Sequence, residues 1–196
     1  RPHDRDFAFD HYLCSLEYYR GKHEADDKGF LLSQEACKEL FYEGARISER
    51  YAFLLQLKDY PRVVRDTERN MKLFRFVNRY AERQADRENL EKWWPYVLRI
   101  NGMAKALIAA DGEDYDRALE AVSQTRERIN NWPEIEAEEF YAERERSEAA
   151  LDELERELLE KKPLSHREQL ERSLQEAIDS EEFERAAVLR DELKNV

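Results

Sequence analysis

His11-x-x-Cys14 sets an imidazole and a thiol one helical turn apart, with His3 and His23 close by in sequence. These are zinc-ligand types at a spacing that one helix face can present. A structural zinc site needs four such ligands converging, and Cys14 also falls beside an apolar stripe. The plainer reading is a buried thiol next to a surface histidine, and no metal is expected. Arg62, Arg65, Arg69, Lys72, Arg75, Arg79 and Arg83 recur every three or four residues. Such a basic stripe can hold an acidic peptide, a phosphorylated ligand or nucleic acid. The competing reading is internal pairing with the acidic segment after Pro133, or plain solvation, because Asp66, Glu68 and Glu82 already dilute the stripe. Trp93-Trp94-Pro95-Tyr96 either lines a pocket or packs between helices. Acids are abundant but none forms a distinctive pair, and His166 lies at a helix start. No phosphate loop of the G-x-x-x-x-G-K-[ST] kind occurs. The expectation is a chain with no catalytic residues and no cofactor.

The elements that carry these residues are helices. Of 196 residues, 41% are apolar and 40% charged, with only five glycines and five prolines. That balance gives long amphipathic helices with wide solvated faces, and too little turn punctuation for an all-β fold. No apolar run is long enough to span a bilayer, and no export signal appears. Two cysteines cannot form a disulfide scaffold, so a reducing, cytoplasmic setting is expected. The chain starts at Arg1 rather than Met, which reads as a fragment with an upstream region. Net charge is −12, and residues 133–196 hold 10 basic against 21 acidic residues. An acidic last third repels phosphate backbones and disfavours nucleic acid as a partner.

Eight helices follow from the periodicity, and the fold class is all-α. The first spans Asp6 to about Ala25, and the second starts after a Ser33 cap and runs to about Lys58. The third has Pro61 in its first turn and ends near Gln84. Asp86 is placed as the cap of a fourth, kinked or broken at Pro95 behind Trp93 and Trp94. A fifth runs from Tyr115 to about Asn131. A long acidic sixth opens at Pro133 and ends near Lys161, with Ser147, Leu151, Leu154 and Leu158 at coiled-coil-like spacing. That stripe fits an extended arm or a dimer seam. Lys161-Lys162-Pro163 reads as a linker, Ser165 with Glu168 has the capping-box spacing of a seventh helix, and Ser180 separates an eighth. The domain expectation is a helical body at 1–132, a long acidic helix with linker at 133–162, and a helical hairpin at 163–196.

Three stretches, 55–71, 109–129 and 177–193, share one pattern. A helix ends in small or apolar residues, an acidic-aromatic turn follows, and a new helix starts. Tyr60, Tyr115 and Phe183 take equivalent places. Each aromatic is expected to plug the crevice between its paired helices, and Ala118, Ala186 and Ala187 to let the backbones approach. The first two stretches resemble tetratricopeptide-repeat hairpins, although their 55-residue separation departs from the roughly 34-residue period of that family.

The third stretch is more specific. Leu170-x-x-x-Leu174-x-x-Ala177-Ile178, followed by the run Glu182-Phe183-Glu184-Arg185-Ala186-Ala187-Val188-Leu189-Arg190-Asp191-Glu192-Leu193, closely resembles the UVR motif. That motif is the short helical hairpin shared by UvrB and UvrC repair proteins and found in some Clp-type chaperones and McsA-type regulators. The whole chain looks most like stand-alone bacterial proteins that carry this motif behind a helical region. The resemblance implies protein docking through Leu170, Leu174, Phe183, Ala186, Ala187, Leu189 and Leu193, with Arg190 and Asp191 ordering the turn or the partner. The implied partner is a UVR-containing repair protein or a Clp-type protein, with a homodimer left open and no membrane involved. The alternative is a hairpin that only closes the protein's own core. McsA-type paired C-x-x-C motifs are absent, and so is a nuclease-like Gly-Tyr-Tyr signature.

Overall fold

A computed structural model describes residues 7–164 and 166–194. Among them lie nine α-helices: α1 (Ala8–Lys22), α2 (Gln34–Gln56), α3 (Tyr60–Tyr80), α4 (Gln84–Glu91), α5 (Trp94–Asp111), α6 (Tyr115–Asn130), α7 (Glu138–Lys161), α8 (His166–Asp179) and α9 (Phe183–Leu193). The only β-type pairing among the described residues is an isolated bridge between Leu32 and Ala81. The chain is all-α. By its internal contacts it divides into two compact units, Arg1–Leu158 and Leu159–Val196.

Local chemistry sets the helix starts. Ser33 accepts a hydrogen bond from the Ala36 N–H at 3.2 Å and caps α2. Pro61 sits in the first turn of α3, where its missing N–H costs nothing. The expected fourth helix is two helices. Arg83, not Asp86, stands at the α4 N-cap, and Asp86 is buried in the first turn. The chain breaks ahead of Trp94, so Pro95 falls in the first turn of α5 and needs no donor there. The long acidic helix starts at Glu138 rather than Pro133. Trp132 stacks on Trp94 with ring centroids 4.1 Å apart, and that contact fixes the chain before α7 can begin.

In the first unit the core gathers around α3 and α5. Leu40, Tyr51, Val63, Leu73, Val77, Trp94, Val97 and Leu98 are buried together. Polar groups cross this interior in pairs. Asn70 Nδ2 donates to the Gly44 carbonyl at 2.9 Å, and Asn101 Nδ2 to Thr67 Oγ1 at 2.9 Å. Glu43 is buried and accepts from the Phe9 N–H at 2.8 Å and from Arg69 at 2.9 Å. The charge of Glu43 is therefore met on both oxygens, as a buried carboxylate requires. Ser147, Leu151, Leu154 and Leu158 of α7 are all buried. Arg99 and Arg126 pair with Glu143 and Glu148 of the same helix. The coiled-coil-like stripe is thus a core face of the first unit, neither a free seam nor a projecting arm.

α6 crowds α5 at Gly102, which is buried. A Cβ there would land on the Thr125 hydroxyl, with Thr125 Cβ itself only 2.7 Å away. Gly102→Ala should therefore cost about 1–3 kcal/mol in urea unfolding, the usual range for overpacking a tight interface. Adding Thr125→Ala, which removes the nearest atoms, should recover part of that loss.

Candidate functional site

The second unit is built on a turn that the first unit uses twice. Three non-glycine residues stand at positive φ before a helix: Lys58 (58°), Glu113 (61°) and Glu181 (58°). In each case the next residue is the acid that precedes the new helix, with nearly the same backbone angles: Asp59 (−85°, 64°), Asp114 (−88°, 72°) and Glu182 (−81°, 64°). The hydrogen bonds repeat as well. The N–H groups of Lys58 and Asp59 donate to Leu55 and Leu54, those of Glu113 and Asp114 to Ala110 and Ala109, and those of Glu181 and Glu182 to Ile178 and Ala177. The left-handed residue lets two N–H groups reach back to the carbonyls that the first helix leaves open. The acid then faces the N-terminus of the second helix.

After each acid come an aromatic, a variable residue, an arginine and a small residue: Tyr60–Val63, Tyr115–Ala118 and Phe183–Ala186. The small residue faces the partner helix, and Val63, Ala118 and Ala186 are all buried. Phe183 does not plug the crevice of its own pair, contrary to the expectation for the aromatic. Tyr60 is 7% exposed, Tyr115 is half-buried, and Phe183 is 69% exposed.

Within the α8–α9 pair, Leu170, Ala177 and Ala186 are buried and hold the helices together. Leu174, Leu189 and Leu193 are half-buried along the seam. Phe183, Ala187, Val188 and Arg190 are exposed on α9, and Ile178 is exposed at the end of α8. Ala187, expected to let the backbones approach, lies outside the contact. Asp191 is bonded by Lys194 at 2.9 Å and paired with Arg190 at 3.3 Å, and these cations hold its carboxyl below the usual carboxylate range. Ile178, Val188 and Lys194 are exposed as well and are not among the residues expected to dock. The one-turn spacing of Ile178 from Leu174 and of Lys194 from Arg190 is the available signal, whereas Val188, five residues from Phe183, lies on another side of α9.

Residues 167–196 match the family model described as the UvrB/uvrC motif. The α8–α9 hairpin is a UVR motif. No curated protein and no solved structure matches the chain. Ser165, Asn195 and Val196, which flank or end the motif, lie outside the described residues, as does the capping role expected of Ser165. The UVR hairpin therefore carries its own family signature while reusing the turn geometry of α2–α3 and α5–α6.

The other candidate groups have local partners. Arg62 pairs with Asp59 at 3.3 Å, Arg65 with Asp66 at 3.0 Å, Arg69 with Glu43 and Asp10, Arg79 with Asp27, and Arg83 with Asp86. Arg75 lies over the Trp94 ring. Lys72 is exposed and lines an open cleft with Phe7, Phe9 and Leu13. The acids that meet the stripe come from α1 to α4 and their turns. The acidic α7 instead meets Lys92, Arg99 and Arg126, which corrects the expected pairing. Trp94 is buried, edge-on to Phe74 at 5.7 Å, and donates its indole N–H to Glu91 at 3.1 Å, so it packs between helices, whereas Trp93 is exposed. His11 and Cys14 sit on α1, His23 stacks on Tyr19, and His3 lies outside the described residues. No group of three or more His, Cys, Asp or Glu residues placed to hold a metal ion occurs among the described residues. No described helix is long and apolar enough to cross a membrane.

Cys14 is exposed, against the expectation of a buried thiol, and Cys37 is fully buried. Burial, with Asp86 nearby, pushes the Cys37 thiol up to about 11. A maleimide at neutral pH should therefore label one thiol of the native chain, at Cys14, and reach Cys37 only on unfolding. The turns give a second test in urea midpoints. Asp59 accepts from the Arg62 N–H and Asp114 from the Arg117 N–H, whereas Glu182 makes no side-chain cap. Asp59→Ala and Asp114→Ala should each cost about 1 kcal/mol through the lost cap, and Glu182→Ala far less.

Proposed function

We propose that this chain is a non-enzymatic interaction protein of the bacterial cytoplasm. Its UVR hairpin docks another protein, in a process linked to nucleotide-excision repair. One observation carries the reading: the aromatic at the start of α9 is 69% exposed, although it stands where Tyr60 is buried. Covering a phenylalanine of that exposure is worth about 1.5–3 kcal/mol, a hot-spot contribution for an interface. A hairpin of two short helices also buries little apolar surface by itself and gains from a partner. Ile178 and Val188 are exposed on the same hairpin, and Arg190 and Asp191 are charged groups on the Phe183 side of α9.

The motif's wider occurrence leaves a second partner class, Clp-type quality-control proteins, and the same experiment separates the two. Full-length chain, chain ending at Pro163, and full-length Phe183→Asp are used as bait, with circular dichroism as the fold check. A partner recovered by the full-length chain should be lost from both variants while the helical signal of the first unit persists. Repair-nuclease components or a Clp ATPase among the recovered proteins then assign the pathway. Recovery unchanged by both variants would contradict docking through the hairpin.

A further inference from the structure

The repeated turn specifies which face of α9 is open and what helix fits it. Counting from the residue at positive φ, the positions Tyr60, Val64, Thr67 and Glu68 of α3 correspond to Phe183, Ala187, Arg190 and Asp191 of α9. On α3 that face receives α5. Asn101 donates to Thr67 at 2.9 Å, Lys105 pairs with Glu68 at 3.0 Å, and Ile108 lines the same cavity wall as Val64. Asp111 lies close enough to Tyr60 to help raise its phenol, after burial. The contacts climb α5 as they descend α3, so the two helices are antiparallel.

The second hairpin shows one contact of the same kind. Arg126 of α6, which corresponds to Met71 of α3 and Lys194 of α9, bonds Glu148, Asp152 and Glu155 of α7 at 2.8 Å each. In the first hairpin this face of the second helix is therefore occupied by a further helix, and in the second hairpin the Arg126 position is met by one. In α9 the same positions, Phe183, Ala187, Arg190, Asp191 and Lys194, are all exposed.

We propose that this face of α9 takes one helix of a different polypeptide, antiparallel to α9. That helix carries an acid opposite Arg190, a base one turn later opposite Asp191, and an aliphatic residue one further turn on, over Ala187 and Phe183. The spacing is that of Asn101, Lys105 and Ile108, with charges complementary to those of α9. A second copy of this hairpin fits poorly. Its α8 has Gln169, Ser173 and Glu176 at the places of Asn101, Lys105 and Ile108, which sets an acid over Ala187 and nothing charged against Asp191. The inference rests on the docking role proposed above and adds to it the orientation and charge order of the partner helix.

The test uses the full-length chain and two stapled helical peptides that differ only in charge order. One carries Glu-x-x-x-Lys-x-x-Ile and the other Lys-x-x-x-Glu-x-x-Ile. In fluorescence anisotropy the first should bind more tightly by about fivefold, the scale of two partly exposed ion pairs. The double substitution Arg190→Glu with Asp191→Lys should invert that order, and Phe183→Asp should weaken both peptides. Equal affinities, an order that the double substitution leaves unchanged, or binding of neither peptide would overturn the inference. So would self-association in sedimentation that Phe183→Asp abolishes, since the occupant would then be a second copy. Natural-partner capture tells the two proposals apart. Capture lost with Phe183→Asp but kept by the double substitution removes only the charge-ordered helix, whereas capture kept by both removes the docking role as well.

Discussion

Three reversals of this chain depend on one local arrangement: a non-glycine residue at positive φ, then an acid at the head of the next helix. The left-handed residue costs about 1–2 kcal/mol for a residue with a Cβ. That cost is offset by the backbone bonds it permits to the end of the first helix and by the favourable charge at the start of the second. The arrangement also fixes where the following aromatic goes. With the small residue three places later turned into the pair, the aromatic is turned to the next face of the second helix. A third element must cover it, or it stays in water.

In the first unit the covering elements are supplied by the chain itself, and the interior they create is partly polar. Asn70, Thr67 and Asn101 cross it as hydrogen-bonded groups, and Glu43 and Asp66 are buried carboxylates held by arginines. Such groups are costly to leave unpaired, so they specify one register of α2 on α3 and of α3 on α5. The basic residues of α3 belong largely to this structural work. The second unit holds fewer buried groups and leaves open the face that the first unit fills.

The sequence carried much of this outline because helical periodicity and caps are local. The Ser33 cap, Pro61 in a first turn and the equivalence of Tyr60, Tyr115 and Phe183 could all be read without coordinates. The hairpin at the end was legible because its run of residues is long and specific. What escaped the reading depends on contacts far apart in the chain. The start of α7 is set by Trp132 stacking on Trp94, which no window of sequence contains. The break before Trp94 moves Pro95 from a helix interior to a first turn, a difference of two or three residues that pattern alone does not resolve. The direction of Phe183 was misjudged for a similar reason. Its residue type is that of a buried aromatic, and only the contrast with Tyr60, which is buried on a helix met by α5, shows what α9 lacks.

Amide hydrogen exchange on the isolated full-length chain tests this account most directly. The second helices α3 and α6 should be strongly protected beyond their first turns, and the matching amides of α9 should exchange many times faster, because its outer face carries no covering helix. Protection of α9 equal to that of α3 and α6, in the isolated monomer, would contradict the claim that the hairpin is left open for a partner.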